Sequence, residues 1–344
     1  MSDFKLLIID WYRQNKRDLP WRETQDPFNI WLSEVILQQT RVDQGLPYYL
    51  KFIDRFDNIQ SLAKAEEKEV LTLWQGLGYY RRGRNMHQTA RIITEDCGGK
   101  FPNTSTELKK LKGIGPYTAA AIASFCFNEP VPVVDGNVYR VLSRYFDVEI
   151  AINSSTGIKL FSELAASLID KTNPATYNQA IMEFGALQCV PKNPNCESCP
   201  LKDGCLARKS NTVHLRPVKL KKTKIKDRYF HFAVIADDKK VILEERSEKD
   251  IWQHLFQFPL TETPDENPPE LLHPGLRSTE AIKISVTHKH ILSHQRLFAR
   301  FYHFDIHRID KSIIKNLRFV AVDDLSDFPL PRLIDKYIES NPFT

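Results

Sequence analysis

The hydrophobic period of this 344-residue chain changes once, near residue 228, and no other feature constrains the fold as strongly. Before that point, apolar residues recur at helical spacing in Phe4–Tyr12, Phe28–Leu37, Tyr48–Phe56 and Val70–Trp74. The same spacing returns in Ala90–Ile93, Thr118–Phe127, Phe161–Ile169 and Tyr177–Leu187. After it the alternation is two, which predicts strands at Tyr229–Ala236, Lys240–Arg246, Ile282–Ile291, Gln295–Ile306 and Arg318–Val322, with a closing helix at Leu333–Glu339. Sequences patterned for one period do not settle into the other. The chain therefore reads as an all-α part followed by a smaller α+β part. Between them, His214–Arg228 carries seven cations (Arg216, Lys219, Lys221, Lys222, Lys224, Lys226 and Arg228) and one acid, and reads as an exposed basic linker able to meet phosphate.

Composition narrows the class. Hydrophobic residues at 42% support a full core, and 13 glycines with 20 prolines exclude fibrous or low-complexity chains. The longest apolar run, Ala119–Phe127, is too short to span a bilayer, and the N-terminus does not resemble a signal peptide. A cytoplasmic, reducing setting is expected, so the cysteines should not pair as disulfides. The net charge of +5 hints only weakly at a polyanionic partner.

Specific motifs say more. Cys189, Cys196, Cys199 and Cys205 lie within 17 residues, and four thiolates in a reducing compartment call for a soft metal centre. Only the middle pair has the C-x2-C spacing of a zinc knuckle. The uneven loops suit a [4Fe–4S] cluster, and spacing alone leaves zinc open. Cys97 and Cys126 read as core thiols. Lys112-Gly113-Ile114-Gly115-Pro116-Tyr117 joins an expected helix at Thr104–Leu111 to a small-residue helix. Two glycines allow close backbone approach, and a helix N-terminus beyond them suits a phosphate.

Asp135-Gly136-Asn137 precedes another helix; Asp135 fits a helix cap, and the helix dipole would keep it ionised. Glu34 stands in an apolar helix with only Ser33 as local polar company, where burial would raise its pKa. An exposed Glu on the wet face is the plainer alternative. His288, His290 and His294 suggest surface or nucleic-acid contacts more than a second metal site.

Together these motifs resemble the helix–hairpin–helix, Gly-Pro-Asp superfamily of DNA glycosylases, over residues 1 to about 208. Within it the chain resembles the MutY-type adenine glycosylases. Leu19-Pro20-Trp21-Arg22, Ser33-Glu34-Val35, Leu37-Gln38-Gln39-Thr40, Gly76-Leu77-Gly78-Tyr79-Tyr80 and Asn178–Ala186 carry that likeness. The C-terminal part, including Trp252-x5-Phe258-Pro259, resembles that family's 8-oxoguanine-reading domain, a relative of Nudix hydrolases. It lacks the acidic Nudix helix, so pyrophosphate hydrolysis is not expected. The resemblance implies a six-helix module over about 22–128 and a [4Fe–4S] module formed by the N-terminal helix with 129–208. A linker over 209–228 and a Nudix-like domain over 229–344 would follow.

It further implies a monomeric, monofunctional glycosylase acting on double-stranded DNA, near the nucleoid, at adenine opposite 8-oxoguanine or guanine. Glu34 would protonate the base and Asp135 would stabilise the cationic sugar, with Tyr117 and Asn137 positioning them. Trp21, Arg22 and Glu183 would hold adenine. Gln39 and Tyr79 would wedge the stack, and Thr40, Leu77, Ser293 and His294 would meet the opposite base. Lys112, Gly113 and Gly115 would touch the backbone. The four cysteines would ligate the cluster and hold a basic loop (Lys192, Lys202, Arg208, Lys209) against DNA.

Three departures stand out. Tyr117 occupies the position of the Schiff-base lysine of endonuclease III-like members, so β-lyase activity should be small. Lys112 replaces the usual hairpin proline, and Leu292 replaces an aromatic before Ser293-His294. The alternatives are another glycosylase of the superfamily, such as a thymine-mismatch enzyme, or a non-catalytic iron–sulfur DNA-binding protein.

Overall fold

The computed structural model describes residues 2–220, 225–276, 280–309 and 317–343. Its contacts divide the chain into two compact units. Unit 1 joins Met1–Lys64 with Asn85–Lys221, and unit 2 joins Ala65–Arg84 with Lys222–Thr344.

Unit 1 is helical. It contains α1 (Ser2–Asn15), α2 (Pro27–Ile36), α3 (Val42–Arg55) and α4 (Ile59–Lys64). After α5 (Glu67–Leu73), which belongs to unit 2, α6 (Arg81–Asp96) re-enters unit 1. There follow α7 (Ser105–Leu108), α8 (Pro116–Phe127), α9 (Gly136–Tyr145), α10 (Ser155–Leu168), α11 (Pro174–Leu187) and α12 (Leu206–Lys209). Asp26 caps α2 by accepting from the Phe28 amide at 2.9 Å, with Pro27 at the first helical position, as the sequence predicts. The helix expected over Thr104–Leu111 is a single turn, Ser105–Leu108, that decays into three-residue turns through Leu111 before the hairpin glycines. α11 packs between α1 and α9, with Trp11 edge-on to Phe184 at 5.0 Å. α2 packs on α8. Burial of Phe4, Ile8, Phe161 and Phe184 supplies much of this core.

Unit 2 is built on an eight-stranded mixed sheet, with backbone order β3-β2-β1-β7-β5. Its strands are β1 (Lys226–Ala236), β2 (Lys240–Glu245), β3 (Phe256–Gln257) and β4 (Leu260–Thr263), then β5 (Lys283–Ile284), β6 (His288–Ile291), β7 (Gln295–Asp305) and β8 (Leu317–Ala321). β1 runs parallel to β7 along its whole length, from Lys226 opposite Gln295 to Ala236 opposite Asp305. α13 (Arg332–Ser340) closes one face, where Tyr337 stacks on Phe301 with ring centres 3.6 Å apart.

Two further expectations change. The strand predicted over Ile282–Ile291 is two short strands, because the Ser285 hydroxyl accepts from the Phe301 amide and interrupts the ladder to β7. β3 and β4 were not predicted, being too short to show an alternation. The basic stretch also differs from an exposed linker. Arg216 is 5% exposed and pairs with Asp147 and Glu149, while Arg228 is 8% exposed and pairs with Asp250 and Glu262. Pairing offsets the cost of burying each guanidinium. Lys221, Lys222 and Lys224 lie outside the described residues. Among the described residues no helix is long and apolar enough to cross a membrane.

Candidate active site

A cavity of about 190 Å³ in unit 1 gathers residues from α2, α8, α9 and α11. Glu34, Asp135, Tyr117, Asn137, Trp21, Arg22, Glu183 and Thr40 all line it, so residues spread over 160 positions of sequence converge. The apolar pattern of α2 turns Glu34 inward, leaving it 8% exposed. Ser33 gives it no help, since its hydroxyl donates to the Ile30 carbonyl at 2.8 Å. Glu34 instead meets the Tyr117 hydroxyl. Burial is the largest influence on Glu34, and it carries the carboxyl up to about 7 despite the opposing Tyr117 hydrogen bond. Glu34 therefore holds a proton near neutral pH.

Asp135 sits at the N-terminus of α9 and caps it. Its Oδ1 accepts from the Asn137 and Val138 amides at 2.8 and 2.7 Å, and its Oδ2 accepts from the Asn137 side chain at 2.6 Å. The dipole argument by itself predicts a lowered pKa. Burial is stronger and the net direction is upward, with the Val138 and Asn137 donors opposing it. Capping and chemistry are compatible here, because the donors that cap the helix also stabilise a carboxylate. The approach of α9 to α11 depends on Gly185, where a Cβ would come within 2.7 Å of the Asn137 Cβ.

The hairpin positions Tyr117. Gly113 has φ +78, and a side chain there would also strike the Asn85 Cβ at 2.8 Å. Gly115 precedes Pro116 at the start of α8, so Tyr117 falls in the first turn and aims at Glu34. The Lys112 ammonium donates to the Gln88 side-chain carbonyl.

Glu183 differs from its expected use. It is 1% exposed and accepts five hydrogen bonds, three from Arg17 and two from Arg22, at 2.6–2.9 Å. These donors pull its pKa down to about 2 against the effect of burial. A carboxylate so occupied fixes Arg22 rather than reaching a base itself. The residue of α11 that presents free hydrogen-bonding atoms to the cavity is Gln179, one turn earlier. Its Oε1 accepts from the Tyr12 hydroxyl at 2.8 Å, which leaves the amide nitrogen as a donor. Gln179 and Arg17 were both missed. The i, i+4 spacing of Gln179 and Glu183 was the available signal.

Gln39 and Tyr79 share an unusual backbone, with φ of 58 and 48, and each side chain is exposed. Left-handed non-glycine residues are strained and concentrate at functional sites. Tyr79, Leu77, Ser293 and His294 belong to unit 2. Ser293 and His294 form the exposed tip of the β6–β7 hairpin, and the Ser293 hydroxyl contacts the Tyr79 hydroxyl. Leu77 is only 5% exposed. Leu292 packs against the core of the sheet, a role that an aliphatic residue fills.

The four cysteines lie near enough to act on one another electrostatically, although among the described residues no three His, Cys, Asp or Glu side chains close around a single ion. Burial, and then Cys189, push the Cys196 thiol up, while burial and the other three cysteines carry Cys199 to about 11 against a backbone donor. Bare thiolates would repel one another there, and a shared cation removes that cost. The Arg144 guanidinium donates to the Cys189 sulfur at 3.4 Å, and backbone amides point at Cys199 and Cys205. Four soft sulfurs with N–H donors around them fit an iron–sulfur cluster. Arg140 ties this segment to the carboxylates, donating to the Cys189 and Gly185 carbonyls at 2.7 and 2.6 Å and to Asn137 Oδ1 at 2.8 Å.

Known proteins match this chain region by region. Residues 32–162 match the HhH-GPD superfamily of base excision DNA repair proteins, 189–205 the iron–sulfur binding domain of endonuclease III, and 231–340 the NUDIX domain. The cofactor is accordingly a [4Fe–4S] cluster. An adenine DNA glycosylase of Buchnera aphidicola (subspecies Schizaphis graminum) is 35% identical over 98% of each chain. A second, from the subspecies Baizongia pistaciae, is 40% identical over 74% of this chain and 73% of its own. The human adenine DNA glycosylase is 41% identical over 60% of this chain and 40% of its own. Among solved structures, a thermostable thymine-DNA glycosylase is 28% identical, with a TM-score of 0.56 over 60% of this chain and 95% of its own. A non-covalent endonuclease III–DNA complex, at 20% identity and a TM-score of 0.53 over 61% of this chain and 97% of its own, shares the fold. With near-complete coverage at the level of the first relative, the chain belongs to the adenine DNA glycosylase family and is a DNA glycosylase of base excision repair.

Proposed function

We propose that this protein, acting as a monomer in the cytoplasm at the nucleoid, hydrolyses the N-glycosidic bond of adenine opposite 8-oxoguanine or guanine in duplex DNA. One observation carries the reading: Glu34 and Asp135 line one cavity, the first held protonated near neutrality and the second surrounded by N–H donors. Loss of neutral adenine needs a proton on the base and negative charge beside the sugar.

The target nucleotide is flipped from the stack, with Gln39 and Tyr79 filling the space it leaves. Adenine enters the cavity against Trp21. Arg22, locked by Glu183, and the amide of Gln179 address its polar edge. Glu34 gives its proton to N7 as the glycosidic bond breaks, which is worth ~100- to 10,000-fold for a positioned general acid. Tyr117 holds the Glu34 carboxyl in place. Asp135, whose carboxylate form Asn137 and the α9 amides favour against the effect of burial, faces the positive charge developing on the sugar. With Tyr117 at the lysine position of lyases, no Schiff base forms; water supplies the oxygen that ends on C1′ of the sugar and loses a proton, and the product is an abasic site. The hairpin at Lys112, Gly113 and Gly115 holds the phosphate backbone, and Thr40, Leu77, Ser293 and His294 read the opposite base.

The four thiolates of Cys189, Cys196, Cys199 and Cys205 would hold the cluster. Bound there, it supplies structural cross-linking, ordering the loop that carries Lys192, Lys202, Arg208 and Lys209.

The test is base release from duplexes carrying A opposite 8-oxoguanine, A opposite G, and T opposite G. Adenine release without strand cleavage, from the first two only, is expected. Thymine release with adenine untouched would overturn the assignment. A Glu34→Gln protein that binds duplex and still excises at near-normal rate would overturn the acid role.

A further inference from the structure

The loop between β2 and β3 contains two left-handed non-glycine residues, Trp252 (φ 62) and His254 (φ 65). Such backbone persists only where its surroundings enforce it. The loop is fixed from its own side. Arg246 donates to the Ile251 carbonyl at 3.0 Å and to Asp250 at 2.9 Å, and its carbonyl accepts from the His254 amide at 2.7 Å.

The strain turns two groups toward Ala65–Arg84, the segment of early sequence that belongs to unit 2. His254 Nδ1 lies 2.7 Å from Glu67 Oε1 at the start of α5, and the Gln253 carbonyl accepts from the Arg84 guanidinium in the first turn of α6. These contacts bracket the Gly76–Tyr80 turn, whose Tyr79 meets Ser293. The far side of the same turn is tied down by the Tyr80 hydroxyl, which donates to the Leu330 carbonyl at 3.0 Å.

We infer that the Trp252–His254 loop is a specificity clamp, in which His254 and Glu67 are positioning residues that hold the Gly76–Tyr80 turn for reading the base opposite adenine. The inference rests on the reading of Leu77 and Ser293 proposed above. Neither His254 nor Glu67 lines the catalytic cavity. Loss of the clamp therefore acts on discrimination between opposite bases before it acts on bond cleavage. His254→Gly is the informative variant, because glycine accepts φ near +65 without strain while the side-chain contact is lost.

The experiment uses full-length, cluster-loaded protein under single-turnover conditions, on A opposite 8-oxoguanine and A opposite G. Wild-type protein that excises adenine from neither duplex refutes the proposed function, and excision from both at equal rates refutes the reading of the opposite base, so the clamp falls in either case. Given a wild-type preference, His254→Gly and Glu67→Ala should each reduce the ratio of the two rates about 5- to 10-fold, a modest coupling between sites. The double variant should be no worse than the worse single, and the thermal midpoint of His254→Gly should be no lower than wild type. Ratios within twofold of wild type in both single variants overturn the clamp. A ratio that falls only in parallel with the thermal midpoint also overturns it.

Discussion

Glu34→Gln tests the central electrostatic claim without any substrate. Burial lifts the Glu34 carboxyl from 4.5 to about 7. A group whose folded pKa is raised gives its full stability below the unfolded value and loses it as pH rises toward the folded one. Between those limits each pKa unit is worth ~1.4 kcal/mol, so ionisation of Glu34 costs the fold up to about 3 kcal/mol above pH 7. Glutamine has the same shape, still accepts from Tyr117 and has no charge to desolvate. The variant should therefore match or slightly exceed wild type at pH 5 and be about 2–3 kcal/mol more stable at pH 8. Urea titrations followed by tryptophan fluorescence at both pH values measure this difference. Asp135 titrates in both proteins and largely cancels. A stability difference that does not change between pH 5 and pH 8 would refute the raised pKa, and with it the basis for Glu34 as an acid at neutral pH. The same variant should lose excision, so that stability gained and activity lost come from one carboxyl.

Other consequences follow from the same geometry. Tyr117→Phe removes the hydrogen bond that opposes the rise of the Glu34 pKa, so the alkaline limb of the single-turnover rate profile should move to higher pH. Asn137→Ala takes a donor from Asp135 and releases Arg140, and should slow excision ~10-fold or more while the acid limb moves upward, with duplex affinity nearly unchanged. Arg17→Ala leaves Glu183, among the described residues, with Arg22 as its one guanidinium partner, and should cost about 2–3 kcal/mol of stability in the same urea assay. Cys199→Ala should abolish the visible absorbance of the cluster and weaken duplex binding at least about 10-fold, because the basic loop loses its cross-link.

The two architectures, the order of the site motifs and the grouping of the cysteines were legible in the chain because each rests on local rules. Those rules are hydrophobic period, helix caps, hairpin glycines and thiol spacing. The burial of Glu34 was only half legible, since a lone acid in an apolar helix could also have sat on a wet face, and the packing of α2 decided it. Other features depended on packing between distant segments. Only the fold shows that Glu183 is enclosed by Arg17 and Arg22 and that Gln179, one turn away, keeps a free donor. Only the fold assigns residues 65–84 to the sheet-containing unit, because their partners lie some 170 to 250 residues further along the chain. Arg216 and Arg228 make the same point. In sequence they belong to a basic run, yet acids from elsewhere draw them into the interior. Period and capping act over one or two turns of chain and can be read from it. The pairing of buried charges depends on which surfaces meet, and that is decided when the helices and strands pack.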